Sequence, residues 1–274
     1  MKDTRSVAFK KGHIVILFGI AGLLTLLLRS PAIEARIGEF IWANTKLPGL
    51  TLTFDHRATT AVTIGDYYFD ALRSPEAYDV ARAKHYFLRA TIRDPRVPNA
   101  WHQLSRIDFL AGDFPQALEK IDRQLAIHGD SFMASYYMRG LIKGYMGSYD
   151  EAEQDFKKFL TWDSLSWAAY NDLAWIYFSK GDFGAALSAA EEGLKRNPEN
   201  PWLMAAAGIS LVNLDRSTEG RAFLVRANEG AMKLDTNSWH HAYPGNDPRT
   251  ATAGLEAMRR AIEHNLSLDG PTVD

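Results

Sequence analysis

Two absences restrict what this chain can be. It has no cysteine, which excludes disulfide bonds, thiolate metal sites, iron–sulfur clusters and cysteine nucleophiles. The compartment stays open, because an oxidising space permits disulfides without requiring them. It also has no excess of either charge, since 31 Lys and Arg face 33 Asp and Glu for a formal net charge of -2. Nucleic acid is therefore not an expected partner, while 46% hydrophobic residues are enough for a folded core.

The common catalytic motifs are missing as well. The sequence contains no GxxxxGK[ST] loop, no GxSxG elbow and no HExxH helix. His240 and His241 are the only adjacent pair that suggests a metal, but side chains of neighbouring residues point apart and no cysteine joins them. We therefore predict a protein that is not an enzyme and has no cofactor, no metal and no small-molecule substrate. A hydrolase that uses the loop from His240 to Asp247 is the alternative.

One long apolar run lies near the N-terminus. Ile14 to Leu28 is fifteen residues without a charge, and Lys10, Lys11 and Arg29 stand at its two ends. As a helix it spans about 22 Å, less than the roughly 30 Å hydrocarbon core, but the lysine side chains can extend to the interface. We interpret residues 13–29 as a retained transmembrane signal anchor. A cleaved signal peptide and a buried helical hairpin are the alternatives.

The charges around this run predict its orientation. Residues 1–12 contain Lys2, Arg5, Lys10 and Lys11, a higher density of positive charge than the segment after the run. By the positive-inside rule, residues 1–12 form a cytoplasmic basic tail and the rest of the chain lies outside the cytoplasm. This predicts a single-pass protein of the inner (cytoplasmic) membrane with its main domain in the periplasm, if the source is a Gram-negative bacterium.

Residues 30–57 connect the run to the main domain. Between residues 32 and 43, Ile33, Ile37, Phe40 and Ile41 fall on one helical face, as in an amphipathic juxtamembrane helix. A linker helix that packs on the main domain is the alternative. Residues 44–57 carry turn residues without a helical period, so we expect a spacer there.

The remaining chain repeats itself every 34 or 35 residues. One set of small residues recurs at that period, and a second set lies twelve residues before its central members. The first set is Ala83, Ala117, Ala152, Ala186, Gly220 and Gly254, and the second is Ser105, Gly140, Ala174 and Gly208. Small residues at this spacing let two helices of one unit approach closely. Glycine followed by Asp or Ser marks the turn between them, at residues 112–113, 147–148 and 181–182.

This pattern resembles the tetratricopeptide repeat, a 34-residue helix–turn–helix unit. The segment from residue 168 to 200 is similar to that family's consensus at Tyr170, Leu173, Ala174, Tyr177, Gly181, Ala186 and Pro198. The resemblance implies an all-α, right-handed solenoid over residues 58–266 followed by a tail at 269–274. Its units are roughly 58–97, 98–132, 133–166, 167–200 and 201–234, with a modified capping unit at 235–268. In that last unit we expect Asp247 to cap a closing helix that begins at Pro248.

The resemblance also implies a concave groove lined by the first helix of each unit. The corresponding positions here are His102, Arg106, Phe109, Tyr137, Leu141, Tyr145, Asn171, Trp175, Phe178, Ile209 and Asn213. Family members that clamp the C-terminal carboxylates of chaperones need Lys and Asn at these places, and only Asn171 matches. The groove is instead predicted to be aromatic.

Together these features predict a membrane-anchored scaffold or adaptor that binds a protein or peptide in an extracytoplasmic assembly. One alternative is that the groove is filled by the chain's own N-terminal segment or by the loop at 231–247. Another is an accessory protein that handles glycans by stacking sugars on the aromatic groove.

Overall fold

The computed structural model describes residues 30–237 and 251–268. These residues form thirteen α-helices and two 3-10 turns, without a strand among them. The helices are α1 (Pro31–Thr45), α2 (Pro48–Phe54), α3 (Ala58–Phe69), α4 (Val80–Arg93), α5 (Ala100–Leu110), α6 (Phe114–His128), α7 (Ala134–Tyr145), α8 (Tyr149–Leu160), α9 (Trp167–Ser179), α10 (Phe183–Leu194), α11 (Pro201–Asn213), α12 (Ser217–Lys233) and α13 (Ala251–Leu268). The predicted all-α fold class is confirmed.

The helices from α3 to α12 pack as five consecutive hairpins. Each odd-numbered helix packs on the even-numbered helix that follows it, and each hairpin packs on the next one along the chain. Helix α13 packs on α12 and closes the series. Because each hairpin contacts mainly its neighbours, the apolar core runs along the stack as a series of clusters.

Glycine and aspartate set the turns inside the hairpins. Gly112, Gly147 and Gly181 have φ of 76°, 80° and 77°, a left-handed conformation that glycine adopts without steric cost. The next residue then caps the second helix in two of these turns. The Asp113 and Asp182 carboxylates accept hydrogen bonds from backbone N–H groups of the first turns of α6 and α10.

The repeated small residues lie where the two helices of a hairpin approach most closely. Ser105 Oγ donates a hydrogen bond to the Ala117 carbonyl at 2.7 Å. A Cβ added to Gly220 would lie 2.7 Å from the Gly208 carbonyl oxygen, so the equivalent pair in the fifth hairpin is in backbone contact. Most other members of the two sets are buried too: Ala83, Ala117, Ala152, Ala186, Gly140 and Ala174. Gly254 of the last unit is half-buried.

Helices α1 and α2 fold back onto the first hairpin. Arg57 pairs with Glu39 of α1 at 2.6 Å and with the buried Asp55 at 2.7 Å. Helix α1 approaches through Gly38, where an added Cβ would lie 2.3 Å from the Asp55 Cβ. Trp42 of α1 then meets a tyrosine ring of α3 edge-on at 5.3 Å. Residues 32–43 therefore pack on the main domain, which was the alternative to a helix held only at the membrane.

Two expectations for residues 30–57 were wrong in detail. The buried face of α1 is formed by Ala35 and Gly38, whereas Phe40, from the predicted apolar face, is 70% exposed. The expected spacer contains α2, which starts at Pro48 because proline suits the first turn of a helix. Both differences have one cause: α1 and α2 pack on each other. This contact buries Gly38 of α1 against Thr51 and Asp55 and stabilises a seven-residue helix that has little periodicity of its own.

The two chain ends lie mostly outside the described residues. The predicted tail at 1–12, the anchor at 13–29, the capping residues Asp247 and Pro248 and the tail at 269–274 are all outside them. Within the described ranges, none of the helices combines the length and apolar character that crossing a membrane requires. Helix α13 is tied to α12 by Arg259, which donates hydrogen bonds to the carbonyls of Ala231 and Leu234 at 3.1 and 2.7 Å.

We expect overpacking to distinguish the two faces of α10. Ala186 is fully buried between the helices of its hairpin, and Ser188 on the same helix is exposed. Ala186→Trp should lower the free energy of unfolding by about 1–3 kcal/mol, because a large ring cannot enter a close helix contact without displacing it. Ser188→Trp is the matched control and should change it little. Equal shifts of the melting temperature for both variants would contradict the packing described.

Candidate partner-binding groove

An aromatic row crosses three consecutive first helices. The Tyr145 ring of α7 lies 5.2 Å from the Phe109 ring of α5 and 5.2 Å from the Trp175 ring of α9, measured between centroids. The rings meet at 85° and 51°, arrangements that aromatic pairs favour. Tyr145 is 57% exposed, while Phe109 and Trp175 are half-buried. We call Phe109, Tyr145 and Trp175 the aromatic row.

Phenylalanines at the start of two second helices contact predicted groove aromatics, and one of them, Phe114, supports the aromatic row. Phe114 lies 5.5 Å from Phe109 and 5.4 Å from Tyr145. Phe178, the last predicted aromatic groove residue, contacts Phe183 of α10 at 5.2 Å. Phe114 and Phe183 each follow one of the glycine turns described above, so the turn places each ring beside the first helix of its own hairpin.

Gly144 allows the Trp175 ring to approach α7 and contact Tyr145. A Cβ added to Gly144 would lie 2.7 Å from the Trp175 ring and 2.8 Å from the Ile176 side chain. The indole therefore packs directly on the backbone of α7. A larger residue at Gly144 would push Trp175 out of contact with Tyr145.

Beside the row lies a carboxylate that the sequence analysis missed. Asp172 of α9 is buried, and it accepts hydrogen bonds from the Tyr137 hydroxyl at 2.5 Å and from the Asn171 amide at 3.3 Å. The Tyr137 ring also packs on Phe156 and Phe159. Two predicted groove residues thus hold one buried acid between α7 and α9.

The surroundings of Asp172 disfavour its charge. Burial raises the pKa of Asp172 to about 6, although the hydrogen bonds from Tyr137 and Asn171 act in the opposite direction. Burial, together with the charge of Asp172, also raises the pKa of Tyr145. The carboxylate is therefore within electrostatic reach of the aromatic row.

Arg106, another predicted groove residue, belongs to a polar chain. Its Nη1 donates to the Gln103 side-chain oxygen at 2.7 Å, and Gln103 Nε2 donates to Asp66 of α3 at 2.6 Å. The guanidinium also lies 4.9 Å from the Phe69 ring centroid, a cation–π contact. Burial lowers the pKa of Arg106 and raises that of Asp66. The positive charge of Arg106 is thus compensated by the negative charge of Asp66, to which Gln103 links it.

The other predicted groove residues are divided between the core and the surface. His102 is half-buried with Nδ1 at 3.0 Å from Ser135 Oγ, and burial followed by the charge of Arg106 lowers its pKa to about 3. It is therefore a neutral residue of the α5–α7 contact. Leu141 and Ile209 are half-buried, and the exposed Asn213 donates to the carbonyl of Ile209 on its own helix.

The ring contacts described for the predicted groove aromatics are with residues of both helices of neighbouring hairpins. Tyr137, Trp175 and Phe178 contact residues of α7 to α10, and the N-terminal segment contacts α3 instead. The loop pair His240 and His241 lies outside the described residues. Where the structure does describe side chains, no cluster of three or more His, Asp or Glu is arranged to hold a metal.

Two signals in the sequence could have revealed the polar part of the groove. Gln103 and Asp172 both stand two residues before a small packing residue, at positions where the other units have Met138 and Ala206. A polar residue at a buried position of a repeat needs a partner. One partner of each, Asp66 for Gln103 and Tyr137 for Asp172, comes from the preceding unit, and only the three-dimensional stacking of units identifies it.

The sequence profile of the tetratricopeptide repeat matches residues 137–201, which comprise α7 to α10 and the links between them. The resemblance is confirmed. The matched residues are thus similar to the tetratricopeptide repeat, and they contain Tyr145, Asp172 and Trp175. No curated protein sequence matches the chain.

Solved structures extend the likeness beyond these repeats. MamA from Desulfovibrio magneticus RS-1 is 17% identical, with a TM-score of 0.56 over 65% of this chain and 97% of that one. YrrB, described as a TPR protein with an unusual peptide-binding site, is 13% identical, with a TM-score of 0.55 over 68% and 93%. A chain of the Cut9–Hcn1 hetero-tetramer of APC/C is 15% identical, with a TM-score of 0.56 over 87% and 43%. At these identities the likeness shows a shared solenoid fold.

The raised pKa of Asp172 predicts a stability that depends on pH. Between about pH 4 and pH 6 the native state keeps a proton that the unfolded state has lost, so the free energy of unfolding falls as pH rises through this window. Asp172→Asn removes the cost of the buried charge. It should therefore stabilise the protein at pH 7.5, by up to about 3 kcal/mol, with the gain disappearing near pH 3.5.

Denaturant titrations of the two proteins at both pH values measure this difference. Glu199→Gln, which removes an exposed carboxylate, is the control and should show little change at either pH. A gain for Asp172→Asn that is the same at pH 7.5 and pH 3.5 would show that the carboxylate is not destabilised by burial.

Proposed function

We propose that this chain is a scaffold without catalytic activity, and that its groove binds a segment of a protein partner at the aromatic row. The observation that carries the proposal is Tyr145, which is 57% exposed between two rings of neighbouring helices. A large ring left exposed in a row of rings contributes little to a free solenoid. It supplies the type of apolar anchor that dominates protein interfaces.

The comparisons support this proposal at the level of the fold. The aromatic row lies partly within the residues that match the tetratricopeptide repeat, and one structure with a similar fold is described as having a peptide-binding site. A rigid stack of helices also suits such a task, because a partner then orders only its own segment on binding.

The geometry favours a peptide over a glycan. Sugars stack on the flat face of an exposed ring, whereas Phe109 and Tyr145 meet at 85° and cover each other's faces and edges. Side chains of a peptide fit between tilted rings more readily than a flat sugar does. We therefore keep protein binding as the proposed function.

We further propose that the scaffold is anchored in the inner membrane, with the solenoid outside the cytoplasm. This rests on the uncharged run from Ile14 to Leu28 and the basic residues before it. The exposed apolar side chains of Phe40, Leu47 and Leu50, in and after α1, suit a segment close to a lipid surface.

Reporter fusions test this topology. A reporter that is active only outside the cytoplasm, fused after Asp274, should be active, and the full chain should remain in the membrane fraction after a carbonate wash. A reporter that is active only in the cytoplasm, fused at the same place, serves as the matched control and should be silent. Activity of the cytoplasmic reporter alone would reverse the proposed orientation, and a carbonate-soluble mature chain would show cleavage.

Truncating the aromatic row should weaken partner capture. Tyr145→Ala removes the most exposed ring of the row, so we expect a loss of about 2 kcal/mol or more in binding free energy and a small change in melting temperature. The measurement is the amount of partner recovered with the full chain from detergent-solubilised membranes, together with the melting temperature of the purified chain.

Trp162→Ala is the matched control, because Trp162 is 63% exposed but lies after α8 and outside the row. It should leave capture unchanged. If Trp162→Ala abolishes capture and Tyr145→Ala does not, the partner binds the loop after α8 and the proposed groove is wrong.

A further inference from the structure

Four aspartates are buried in the part of the chain that the structure describes: Asp55, Asp108, Asp155 and Asp172. Three of them have cationic partners. Asp55 pairs with Arg57, Asp108 pairs with Lys84 and Lys120, and Asp155 pairs with Arg139 and Lys143. This is the usual arrangement, because an ionised carboxylate away from water needs a compensating charge.

Asp172 differs from the other three. Its hydrogen-bond donors are the hydroxyl of Tyr137 and the amide of Asn171, which are both neutral. Across residues 30–237 and 251–268, no Lys or Arg forms an ion pair with it. The two donors orient the carboxylate without neutralising it.

The rest of the groove does not balance this charge. Among the predicted groove positions Arg106 is the only charged residue, and it is already linked through Gln103 to Asp66. The uncompensated charge of the groove is therefore that of Asp172, which lies next to the aromatic row. Aromatic faces beside a carboxylate attract a cation by two mechanisms, the ring quadrupole and the direct charge.

We propose that the groove selects a basic peptide segment, with a Lys or Arg side chain of the partner placed over Tyr145 and Trp175, where it neutralises Asp172. This inference rests on the proposed function, since it names the chemistry of the partner that the aromatic row binds. It also gives a reason for a carboxylate at a position where asparagine would accept the same hydrogen bond from Tyr137 without a buried charge.

The energetic argument supports the same assignment. Burial raises the pKa of Asp172 to about 6, so at neutral pH the free protein carries a charge that destabilises it. A partner cation would relieve that cost in the complex and add its own attraction in a site of low dielectric. An acidic segment would meet repulsion from the same carboxylate, which makes the groove selective between peptides of similar apolar content.

A displayed library of random twelve-residue peptides, selected on the immobilised full-length protein in detergent, tests the proposal. Sequences that are retained by the wild type and lost with Tyr145→Ala count as binding at the groove. We expect these sequences to be enriched in Lys and Arg over Asp and Glu relative to the input library. With Asp172→Asn the enrichment should fall clearly, because only the rings then attract the cation, whereas with the control Glu199→Gln it should stay as in the wild type.

One selected peptide then gives the charge coupling. Replacing its Lys or Arg by Gln should weaken binding to the wild type about tenfold. The same replacement should weaken binding to Asp172→Asn much less, because only the attraction to the rings remains there. A groove-dependent pool without basic bias, or one whose bias is as strong in Asp172→Asn as in the wild type, overturns this inference and leaves peptide binding by the groove intact. A selection that yields no groove-dependent sequence overturns the proposed function together with the inference.

Discussion

The close approach of two helices within each hairpin is the contact on which the rest of the structure depends. In the second hairpin it is a hydrogen bond from Ser105 to the Ala117 carbonyl, and in the fifth it is direct contact between the backbones of Gly208 and Gly220. These contacts set the angle and distance of one hairpin, and stacking repeats that geometry along the chain. A change in the helix spacing of one hairpin would therefore shift the first helices of all later hairpins relative to those before it.

The groove follows from this packing. Because the first helices stack in a regular series, residues at equivalent positions form rows across the units, and Phe109, Tyr145 and Trp175 form one of them. The row needs Gly144, where any side chain would displace the indole. The same stacking that supports the fold thus places the rings that we propose to bind a partner, while the exposure of Tyr145 leaves one ring available to it.

Asp172 is compensated differently from the other buried aspartates of the stack. Asp108 and Asp155 are neutralised within or between neighbouring hairpins and stabilise the stack. Asp172 is held by neutral donors and keeps an uncompensated charge. The buried charge of Asp172 lowers the stability of the protein, whereas the charges of Asp108 and Asp155 are compensated. Proteins commonly keep such destabilising features at functional sites.

The period, the turns and the packing residues could be predicted from the sequence, because they depend on local chemistry: glycine at the turn and a small residue where two helices meet. The sequence also placed Tyr145 and Trp175 on the groove face. The sequence did not predict the partners of buried polar groups such as Asp172 or the face by which α1 packs on α2; the three-dimensional structure shows both. The partners depend on contacts between repeat units, and the face depends on which side of a weakly amphipathic helix is buried. Both are set by residues that are far apart in the sequence, so a local sequence pattern does not predict them.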